Sequence, residues 1–458
     1  MTLQEYITSI KSRTVAIVGI GVSNTPLIEL LAKNGVRVTA CDKKSRETLG
    51  GEADRLEALG VTLKLGADYL KDLTQDVIFR TPGLRPDVPE LLAAVQQGST
   101  ITSEMEVFFQ VCPCTLIAVT GSDGKTTTTT LISEFLKAAG KTVHLGGNIG
   151  HPLLCDAGDM QPGDYAVLEL SSFQLMTMTR SPHIAVVTNL APNHLDIHKD
   201  MAEYVCAKEN IFVHQSADDI AVFNADNTIT AEQATRAAGR VRQFSRQREI
   251  ADGVFLRDGT VLSRKNGAER EILKASDILL PGVHNVENYM AAIAAVEDLV
   301  SDEVIRQVAR TFGGVEHRIE LVRTLRGVRY YNDSIGTSPS RTIAGLRSFP
   351  EKLILIAGGK DKGISYAPLG PELNEHVKLL ILCGATAGVI RDAVMQAENY
   401  AGLEIVEVGD YHEALALASH RAGAGDVVML SPASTAFDRF KNFMERGKVF
   451  KQIVNELK

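Results

Sequence analysis

The sequence has no tryptophan, and aromatic residues make up only 5% of its 458 residues. Proteins that bind single-stranded nucleic acid stack the bases on aromatic side chains, so this scarcity disfavours such a binding platform. Positive charge is not in excess either, since 48 Lys and Arg residues face 56 Asp and Glu residues, for a formal charge of −8 at pH 7. We therefore expect no nucleic-acid partner.

Long apolar runs and organised cysteines are also missing. No stretch reaches the roughly 18 uninterrupted apolar residues of a membrane span, and Met1–Arg13 lacks the continuous apolar segment of a signal peptide. The six cysteines follow no zinc-binding spacing, and Cys112-Pro113-Cys114 is not a C-x-x-C motif. They are expected to be small core residues in a reducing compartment. The sequence thus predicts a soluble cytoplasmic protein without membrane insertion.

The patterning of the chain predicts an α/β protein of three domains. Short β-branched apolar runs alternate with helical segments, which is typical of parallel sheets covered on both faces. We predict a Rossmann-like N-terminal domain over 1–105, a central P-loop ATPase-like parallel-sheet domain over 106–313 and a Rossmann-like C-terminal domain over 314–458. Ser103–Gln110 is expected to link the first two domains. The charged stretch Val241–Ile278, with two Asp-Gly turns, predicts a hairpin excursion within the central domain.

The strongest single motif follows the apolar strand predicted at Leu116–Thr120. It is Gly121-Ser122-Asp123-Gly124-Lys125-Thr126-Thr127, and it opens a helical segment that ends at Gly140. The glycines allow close backbone approach, and the N–H groups at a helix N-terminus face an anion. Lys125 would neutralise phosphates and Thr126 would ligate Mg²⁺. The loop is shorter than the common G-x-x-x-x-G-K-[ST] form, but a strand before it and a helix after it predict an ATP site.

A second Gly-rich turn lies near the N-terminus, where Gly19-Ile20-Gly21-Val22-Ser23-Asn24 follows an apolar strand. It reads G-x-G-x-x-N, so Asn24 replaces the third glycine of a dinucleotide fingerprint. Asp42, 23 residues after Gly19, is placed to meet a ribose or a base. From the residues alone, this turn either contacts a nucleotide or serves only tight packing. A nicotinamide dehydrogenase is one alternative, but it leaves the phosphate loop unexplained.

Polar residues after other predicted strands are candidates for metal binding and catalysis. Glu169 ends an apolar strand beside the phosphate loop, where a carboxylate suits Mg²⁺. His194 follows the next strand, whereas His198 is expected to be a cap or surface residue. Lys208 lies on a helix predicted over Met201–Val213, and its own surroundings in the sequence are those of a surface lysine.

The third domain offers cations and short hydroxyls on loops after predicted strands, at Glu316–Arg318, Tyr331–Ser334, Gly358–Lys362 and Ser431–Thr435. Such groups suit the binding of carboxylates or phosphates. Ordinary turn chemistry explains each loop when it is taken singly.

Taken together, these motifs resemble the Mur ligase family, the ATP-dependent amino-acid-adding enzymes of peptidoglycan synthesis, over nearly the whole chain. The resemblance is carried by Gly121–Thr127, Gly147–Gly150, Glu169–Leu175, Asn193–Asp196, Ala207-Lys208, Asn224–Asp226, His284–Asn288, His317-Arg318, Asn332–Ser334 and Ser431–Phe443. Within the family, Glu169–Leu175 is most similar to the member that adds D-glutamate to UDP-N-acetylmuramoyl-L-alanine. The resemblance implies these two substrates, with ATP and two Mg²⁺ ions as cofactors, and a monomer is expected.

The resemblance also implies roles for single residues. The implied catalytic residues are Lys125, Glu169, His194 and Lys208, and the implied metal ligands are Thr126, Glu169, His194 and a carbamylated Lys208. The implied ATP contacts are Gly121, Ser122, Asp123, Gly124, Lys125, Thr126, Thr127, Asn288, Arg318 and Asp333. UDP-sugar contacts are implied at Gly21, Val22, Ser23, Asp42, Thr81, Pro82, Gly83, Asn148, Ser171 and Gln174, and amino-acid contacts at Thr337, Lys362, Ser434, Thr435 and Phe443.

Two positions depart from the family pattern, and both fall in the implied amino-acid pocket. The usual Asp-Ser-Lys is Asp333-Ser334-Ile335, which lacks a cation, and Ala436 replaces a serine two residues before Asp438. The alternatives within the superfamily are a ligase for another amino acid and an enzyme similar to folylpolyglutamate synthetase, which would need no uridine nucleotide. A non-catalytic, ATP-switched regulatory protein is the alternative from another class.

Overall fold

The computed structural model describes residues 1–458, which form three sheets with helices between their strands. These residues divide into two compact units. The first unit comprises Met1–Ala275 and Glu287–Val308, and the second comprises Ser276–Val286 and Ala309–Lys458. The first unit holds two sheets and the second unit holds the third. No helix combines the length and the apolarity needed to cross a membrane.

The first sheet is parallel throughout and has five strands. Its strands are β1 (Thr14–Val18), β2 (Arg37–Asp42), β3 (Thr62–Leu65), β4 (Val77–Phe79) and β5 (Thr100–Thr102), with helices α1 (Leu3–Ile10), α2 (Thr25–Lys33), α3 (Arg46–Leu49), α4 (Gly51–Ala58) and α5 (Pro89–Gln96). The order β3-β2-β1-β4-β5 reverses direction at β1. Ligands of doubly wound sheets bind at such a reversal, outside the carboxyl ends of the strands.

The second sheet has nine strands. They are β6 (Thr115–Thr120), β7 (Val143–Gly147), β8 (Tyr165–Glu169), β9 (Ile184–Val187), β10 (Ile220–Asn224), β11 (Arg240–Ser245), β12 (Gly253–Arg257), β13 (Thr260–Lys265) and β14 (Ala268–Lys274). The helices of this part of the chain are α6 (Glu104–Val111), α7 (Lys125–Ala138), α8 (Ser172–Leu175), α9 (Met201–Glu209), α10 (Thr228–Ala234), α11 (Val283–Val296) and α12 (Asp302–Thr311). The order is β14-β13-β12-β11-β10-β9-β6-β8-β7, parallel except for the antiparallel pairs β12–β13 and β13–β14. The predicted hairpin excursion is confirmed.

The third sheet lies in the second unit. Its strands are β15 (Glu320–Leu325), β16 (Val328–Asn332), β17 (Leu353–Ala357), β18 (Val377–Leu382), β19 (Glu404–Glu407) and β20 (Val427–Leu430), and its helices are α13 (Pro339–Leu346), α14 (Leu369–His376), α15 (Ala387–Met395), α16 (Tyr411–Arg421) and α17 (Phe443–Glu456). The order is β15-β16-β20-β17-β18-β19, and only β15 runs antiparallel to its neighbour. Apolar clusters cover both faces of the sheet, so its central strands are buried throughout. The predicted α/β class is confirmed.

Two sequence-based expectations about single segments are wrong. The expected linker Ser103–Gln110 is occupied by α6, whose Met105 and Phe108 lie in a continuous apolar core shared by the first two sheets. Because that core continues from one sheet to the other, the segment between them is helical and buried. The helix expected over Met201–Val213 ends at Glu209, since the chain turns at Asn210, whose amide donates to the Leu175 carbonyl over 2.9 Å.

Candidate active site

The predicted phosphate loop connects the carboxyl end of β6 to the N-terminus of α7. Gly121 has φ +150° and Gly124 has φ +77°, values that favour glycine. A Cβ atom at Gly121 would lie 1.9 Å from Thr188 Oγ1, and one at Gly124 would lie 2.2 Å from Asn288 Oδ1. Both glycines are therefore required by the close approach of neighbouring segments. Asn288, an implied ATP contact, lies against this loop.

Thr126 and Glu169, two implied metal ligands, are in contact. Thr126 Oγ1 donates to Glu169 Oε2 over 2.7 Å, and Asn148 Nδ2 donates to Glu169 Oε1 over 2.8 Å. Glu169 ends β8, which pairs directly with β6, and only 2% of it is exposed. The carboxylate is thus fixed beside the loop, and its oxygens are hard ligands of the kind Mg²⁺ prefers.

Lys208 is a buried lysine at the same edge of the sheet, with 2% of its surface exposed. Its Nζ donates to Thr120 Oγ1 and to the Gly121 carbonyl, each over 2.9 Å. Burial, reinforced by the nearby charge of Lys125, holds the pKa of Lys208 well below its ordinary value. The sequence around Lys208 is that of a surface lysine, but the structure places this residue at the phosphate loop. Its burial favours the neutral amine.

Lys125 folds back onto its own loop. Its Nζ donates to the carbonyl oxygens of Gly121 and Ser122, each over 2.9 Å. The Ser122 hydroxyl is itself buried, 2.9 Å from the Tyr204 hydroxyl. The Lys125 cation is thus held against the backbone of its own loop.

The two histidines after β9 both pack against one aromatic ring. The His194 ring meets Phe173 edge-on at 5.2 Å between centroids, and the His198 ring stacks on Phe173 at the same separation. Burial and the Lys125 charge lower the pKa of His194. The surface or cap role expected for His198 is wrong, because that residue is buried with Nε2 2.9 Å from Ser172 Oγ.

Two implied sugar contacts, Ser171 and Gln174, form the N-terminal cap of α8. The Gln174 N–H donates to Ser171 Oγ over 3.3 Å, and the Ser171 N–H donates to Gln174 Oε1 over 3.0 Å. This reciprocal cap fixes the turn that follows Glu169.

A cavity of about 360 Å³ opens where the strand order of the first sheet reverses. Asp42 fixes its rim, accepting from the N–H groups of Ile20 over 2.6 Å and Lys44 over 2.8 Å. The buried Asn24 amide donates to the Val18 carbonyl over 3.0 Å, which explains the residue found in place of a third glycine. The implied UDP-sugar contacts that line this cavity are Gly21, Val22, Ser23, Asp42, Thr81 and Gly83. Pro82 lines a second cavity of about 20 Å³, together with Gln174.

Arg80 was not expected to matter, yet it is buried with 2% exposure. Its Nη1 donates to three carbonyls of the loop after β4, of which Leu84 is the nearest at 2.6 Å. Its Nη2 lies 3.2 Å from both the Phe173 carbonyl oxygen and Thr177 Oγ1. Arg80 therefore joins the first sheet to α8. No local signal in the sequence distinguishes it from a surface arginine.

In the second unit, Asp333 and Arg318 are neighbours. Asp333 accepts from Ser431 Oγ over 2.6 Å and is buried, with 4% of its surface exposed. Burial raises the pKa of Asp333 to about 7, although the Arg318 charge opposes that shift. The carboxyl group is therefore a strong hydrogen-bonding partner at the end of β16.

The implied amino-acid contacts fall into two groups. Lys362 Nζ and Thr337 Oγ1 are 3.2 Å apart, so these side chains come together. The Ser434 hydroxyl is buried 2.9 Å from the Tyr366 hydroxyl, and Thr435 Oγ1 donates to the Lys360 carbonyl over 2.9 Å. Ser434 and Thr435 are thus engaged within the fold.

Phe443 and the unexpected Arg446 complete this loop region. The Phe443 carbonyl accepts from Ser334 Oγ over 2.8 Å. Arg446 is 1% exposed, and its guanidinium donates to Ser334 Oγ, to the Ser334 carbonyl and to the Ser434 carbonyl. This buried cation ties the loops after β16 and β20 together, and Ile335 lies next to that junction in the sequence.

Comparison with known proteins gives full-length matches. The family model described as the Mur ligase middle domain matches residues 119–296, and the one described as the Mur ligase glutamate ligase domain matches residues 317–434. The chain is 53% identical to the UDP-N-acetylmuramoylalanine–D-glutamate ligase of Acetivibrio thermocellus, covering 99% of each chain. It is 51% identical to the enzyme of the same name from Ruminiclostridium cellulolyticum, covering 100% of this chain and 99% of that one.

Solved structures share the fold at lower identity. The crystal structure of UDP-N-acetylmuramate-alanine ligase from Thermotoga maritima matches with a TM-score of 0.58 and 18% identity, covering 97% of this chain and all of that one. A structure of UDP-N-acetylmuramoyl-L-alanyl-D-glutamate–2,6-diaminopimelate ligase matches with a TM-score of 0.55 and 19% identity, covering 91% of this chain and 86% of that one.

Proposed function

The chain belongs to the Mur ligase family, and from this membership we propose that it joins D-glutamate to UDP-N-acetylmuramoyl-L-alanine while ATP is cleaved to ADP and phosphate. Mur ligases are ATP-dependent enzymes that form amide bonds. The observation that carries the proposal is the convergence of Lys125, Thr126, Glu169 and Lys208 at the carboxyl ends of β6 and β8. These residues supply oxygen ligands, a fixed cation and a buried amine, and they lie beside the N–H groups that begin a helix. Such a set suits phosphoryl transfer.

The donor set fits Mg²⁺ at one position as it stands, through the Thr126 hydroxyl and the Glu169 carboxylate. We assign a second position to Glu169, His194 and Lys208. A lysine amine is not a ligand for Mg²⁺, but the neutral amine that burial favours can attack carbon dioxide and lose one proton to solvent, which leaves an anionic carbamate. When bound, the ions would neutralise charge on the transferring phosphoryl group.

The proposed reaction has two steps. The L-alanyl carboxylate attacks the γ-phosphorus of ATP, so that an acyl phosphate forms and ADP leaves. The amine of D-glutamate then attacks the carbonyl carbon, loses a proton and expels phosphate. Lys125 would exchange its bonds to the Gly121 and Ser122 carbonyls for bonds to phosphate oxygens, and the N–H groups that begin α7 would face the same charge. The base that accepts the amine proton is unassigned.

The substrates would be held by separate parts of the chain. We assign the cavity lined by Gly21, Ser23 and Asp42 to the uridine diphosphate. Asn148, Ser171 and Gln174 would face the sugar, while Asn288, Arg318 and Asp333 would contact ATP. Thr337 and Lys362 would bind the carboxylates of D-glutamate, and Ser434, Thr435 and Phe443 would shape that pocket. The domain boundaries 1–105, 106–313 and 314–458 and the monomeric state belong to the same proposal.

Phosphate release from ATP tests the proposal directly. The assay contains UDP-N-acetylmuramoyl-L-alanine with D-glutamate, L-glutamate, L-lysine or diaminopimelate, and mass spectrometry identifies the product. We expect release only with D-glutamate and a product heavier by one glutamyl residue. Release with another amino acid would keep the reaction class but reject the substrate, and would direct attention to Ile335. No release with any of them would favour an ATP-switched regulatory protein.

A further inference from the structure

Sulfur, imidazole and carboxylate side chains meet at the amino-terminal edge of the second sheet, the edge opposite the phosphate loop. Cys114 immediately precedes β6, His144 is the second residue of β7, and Asp164 immediately precedes β8. The three strands are neighbours in the order β6-β8-β7 and run parallel. Parallel strands begin at the same edge, so the topology itself brings these residues together. None of them has a part in the proposed reaction.

The ligand atoms of this cluster are close enough for one small ion. One atom each from Cys114, His144 and Asp164 lies within 4.8 Å of the other two. His144 Nε2 and Asp164 Oδ2 are 2.9 Å apart. A tetrahedral ion with bonds of about 2.0–2.3 Å holds its ligand atoms about 3.5 Å apart. Binding one therefore requires any separation near 4.8 Å to close by about 1 Å and the His144–Asp164 contact to open by less than about 1 Å.

Cys112, two residues before Cys114, lies outside this cluster, and its sulfur is 4.0 Å from Met160 Sδ. The cluster thus offers one sulfur, one imidazole nitrogen and one carboxylate oxygen. A thiolate donor selects zinc-like ions over Mg²⁺. Three protein ligands would leave the fourth tetrahedral position to water.

We propose that Cys114, His144 and Asp164 form a binding site for a thiophilic divalent cation of the Zn²⁺ type. The ion would cross-link the starts of β6, β7 and β8. Burial raises the pKa of the Cys114 thiol to about 12, so the free cysteine is protonated. Binding would therefore release the thiol proton into the buffer, in addition to replacing the hydrogen bond between His144 and Asp164.

Cobalt titration tests the proposal, because thiolate ligation of Co²⁺ gives a charge-transfer absorption that oxygen and nitrogen ligands do not. The reduced full-length protein is freed of metal with a chelator and titrated anaerobically with Co²⁺ alone. We expect one equivalent to bind with this absorption, and Zn²⁺ to displace it. Cys114→Ser and His144→Gln should each weaken binding at least about tenfold. The matched controls Cys206→Ser and His151→Gln change exposed residues and should bind as the unaltered protein does.

Three results would overturn the site. The first is the absence of charge-transfer absorption in the unaltered protein. The second is absorption of full strength in both Cys114→Ser and His144→Gln, with circular dichroism showing that they are folded. The third is that air oxidation removes two thiols while the reduced protein binds no Co²⁺, which would make Cys112 and Cys114 a redox pair. The titration needs neither ATP nor the nucleotide-sugar, so its outcome is independent of the ligase assay.

Discussion

Arg80 Nη2 donates to the Phe173 carbonyl over 3.2 Å, and this bond joins the loop after β4 to α8. Both segments carry residues that we assign to the UDP-sugar, among them Thr81 and Gln174. A buried guanidinium is tolerated only where its donors are satisfied, and Arg80 meets that condition with carbonyls from both segments. Arg80 therefore helps to position the two halves of the proposed nucleotide-sugar site relative to one another.

Arg80→Lys should separate these halves without removing the charge. A lysine carries its donors on one nitrogen and cannot bridge the Leu84 and Phe173 carbonyls as the planar guanidinium does. We expect the KM for the nucleotide-sugar to rise about tenfold and the free energy of unfolding to fall by about 2–4 kcal/mol. Phosphate-release kinetics and urea unfolding measure the two effects. Arg46→Lys, in the exposed helix α3, is the matched control, and an unchanged KM in Arg80→Lys would contradict the positioning role.

Lys208→Ala should abolish most activity, because it removes both the buried amine and the carbamate we assign to it. We expect kcat to fall by about 100-fold or more. A short carboxylic acid added to the assay should restore part of the rate, since its carboxylate can occupy the vacated space. Rescue by a primary amine instead would show that the amine, not a carbamate, is required. Lys137→Ala, an exposed lysine on α7, should keep full activity.

Gly121→Ala tests how tightly the phosphate loop is enclosed. The added methyl group would lie 1.9 Å from Thr188 Oγ1 at a residue with φ +150°. We expect the free energy of unfolding to fall by about 2–5 kcal/mol and ATP binding to be lost in the protein that remains folded. Gly158→Ala, where an added Cβ meets no atom within 4 Å, should change neither property. Urea unfolding measures the change in stability, and titration calorimetry measures ATP binding. Normal ATP affinity in Gly121→Ala would refute the assignment of this loop to ATP.

Glu104 should make stability depend on pH. It is buried, accepts from the Leu154 N–H over 3.0 Å, and burial raises its pKa from 4.5 to about 7. Between these values the unfolded chain has released a proton that the folded chain retains, so this group lowers stability as pH rises. Glu104→Gln removes the effect. As pH rises from 4.5 to about 7, the free energy of unfolding of the variant should increase relative to that of the unaltered protein by up to about 3 kcal/mol. Above that pH the difference should stay constant.

Urea unfolding at several pH values measures this difference. Asp333 also has a raised pKa, but it titrates in both proteins and cancels from the comparison. Glu90→Gln, an exposed carboxylate on α5, should show no such gain. A constant difference between Glu104→Gln and the unaltered protein from acid to neutral pH would mean that folding does not raise the pKa of Glu104.

The strands and the phosphate loop could be predicted because their signals are local. An apolar run such as Leu116–Thr120, followed by glycines and Lys125, specifies a buried strand, a tight turn and a helix start within a few residues. The surroundings of Arg80 could not be predicted, since its partner Phe173 lies 93 residues further along the chain. Lys208 is similar, because its bond to Thr120 spans 88 residues. Burial of a polar side chain depends on such distant partners.

The charged residues of β14 affect the tendency of the protein to aggregate at high concentration. β14 ends the nine-stranded sheet, and its first four residues, which include Glu269, Arg270 and Glu271, are exposed. An unpaired sheet edge presents N–H and carbonyl groups that a second molecule can add to, and charged side chains along the edge oppose that addition. The antiparallel excursion thus closes the largest sheet of the molecule with a strand that resists edge-to-edge aggregation.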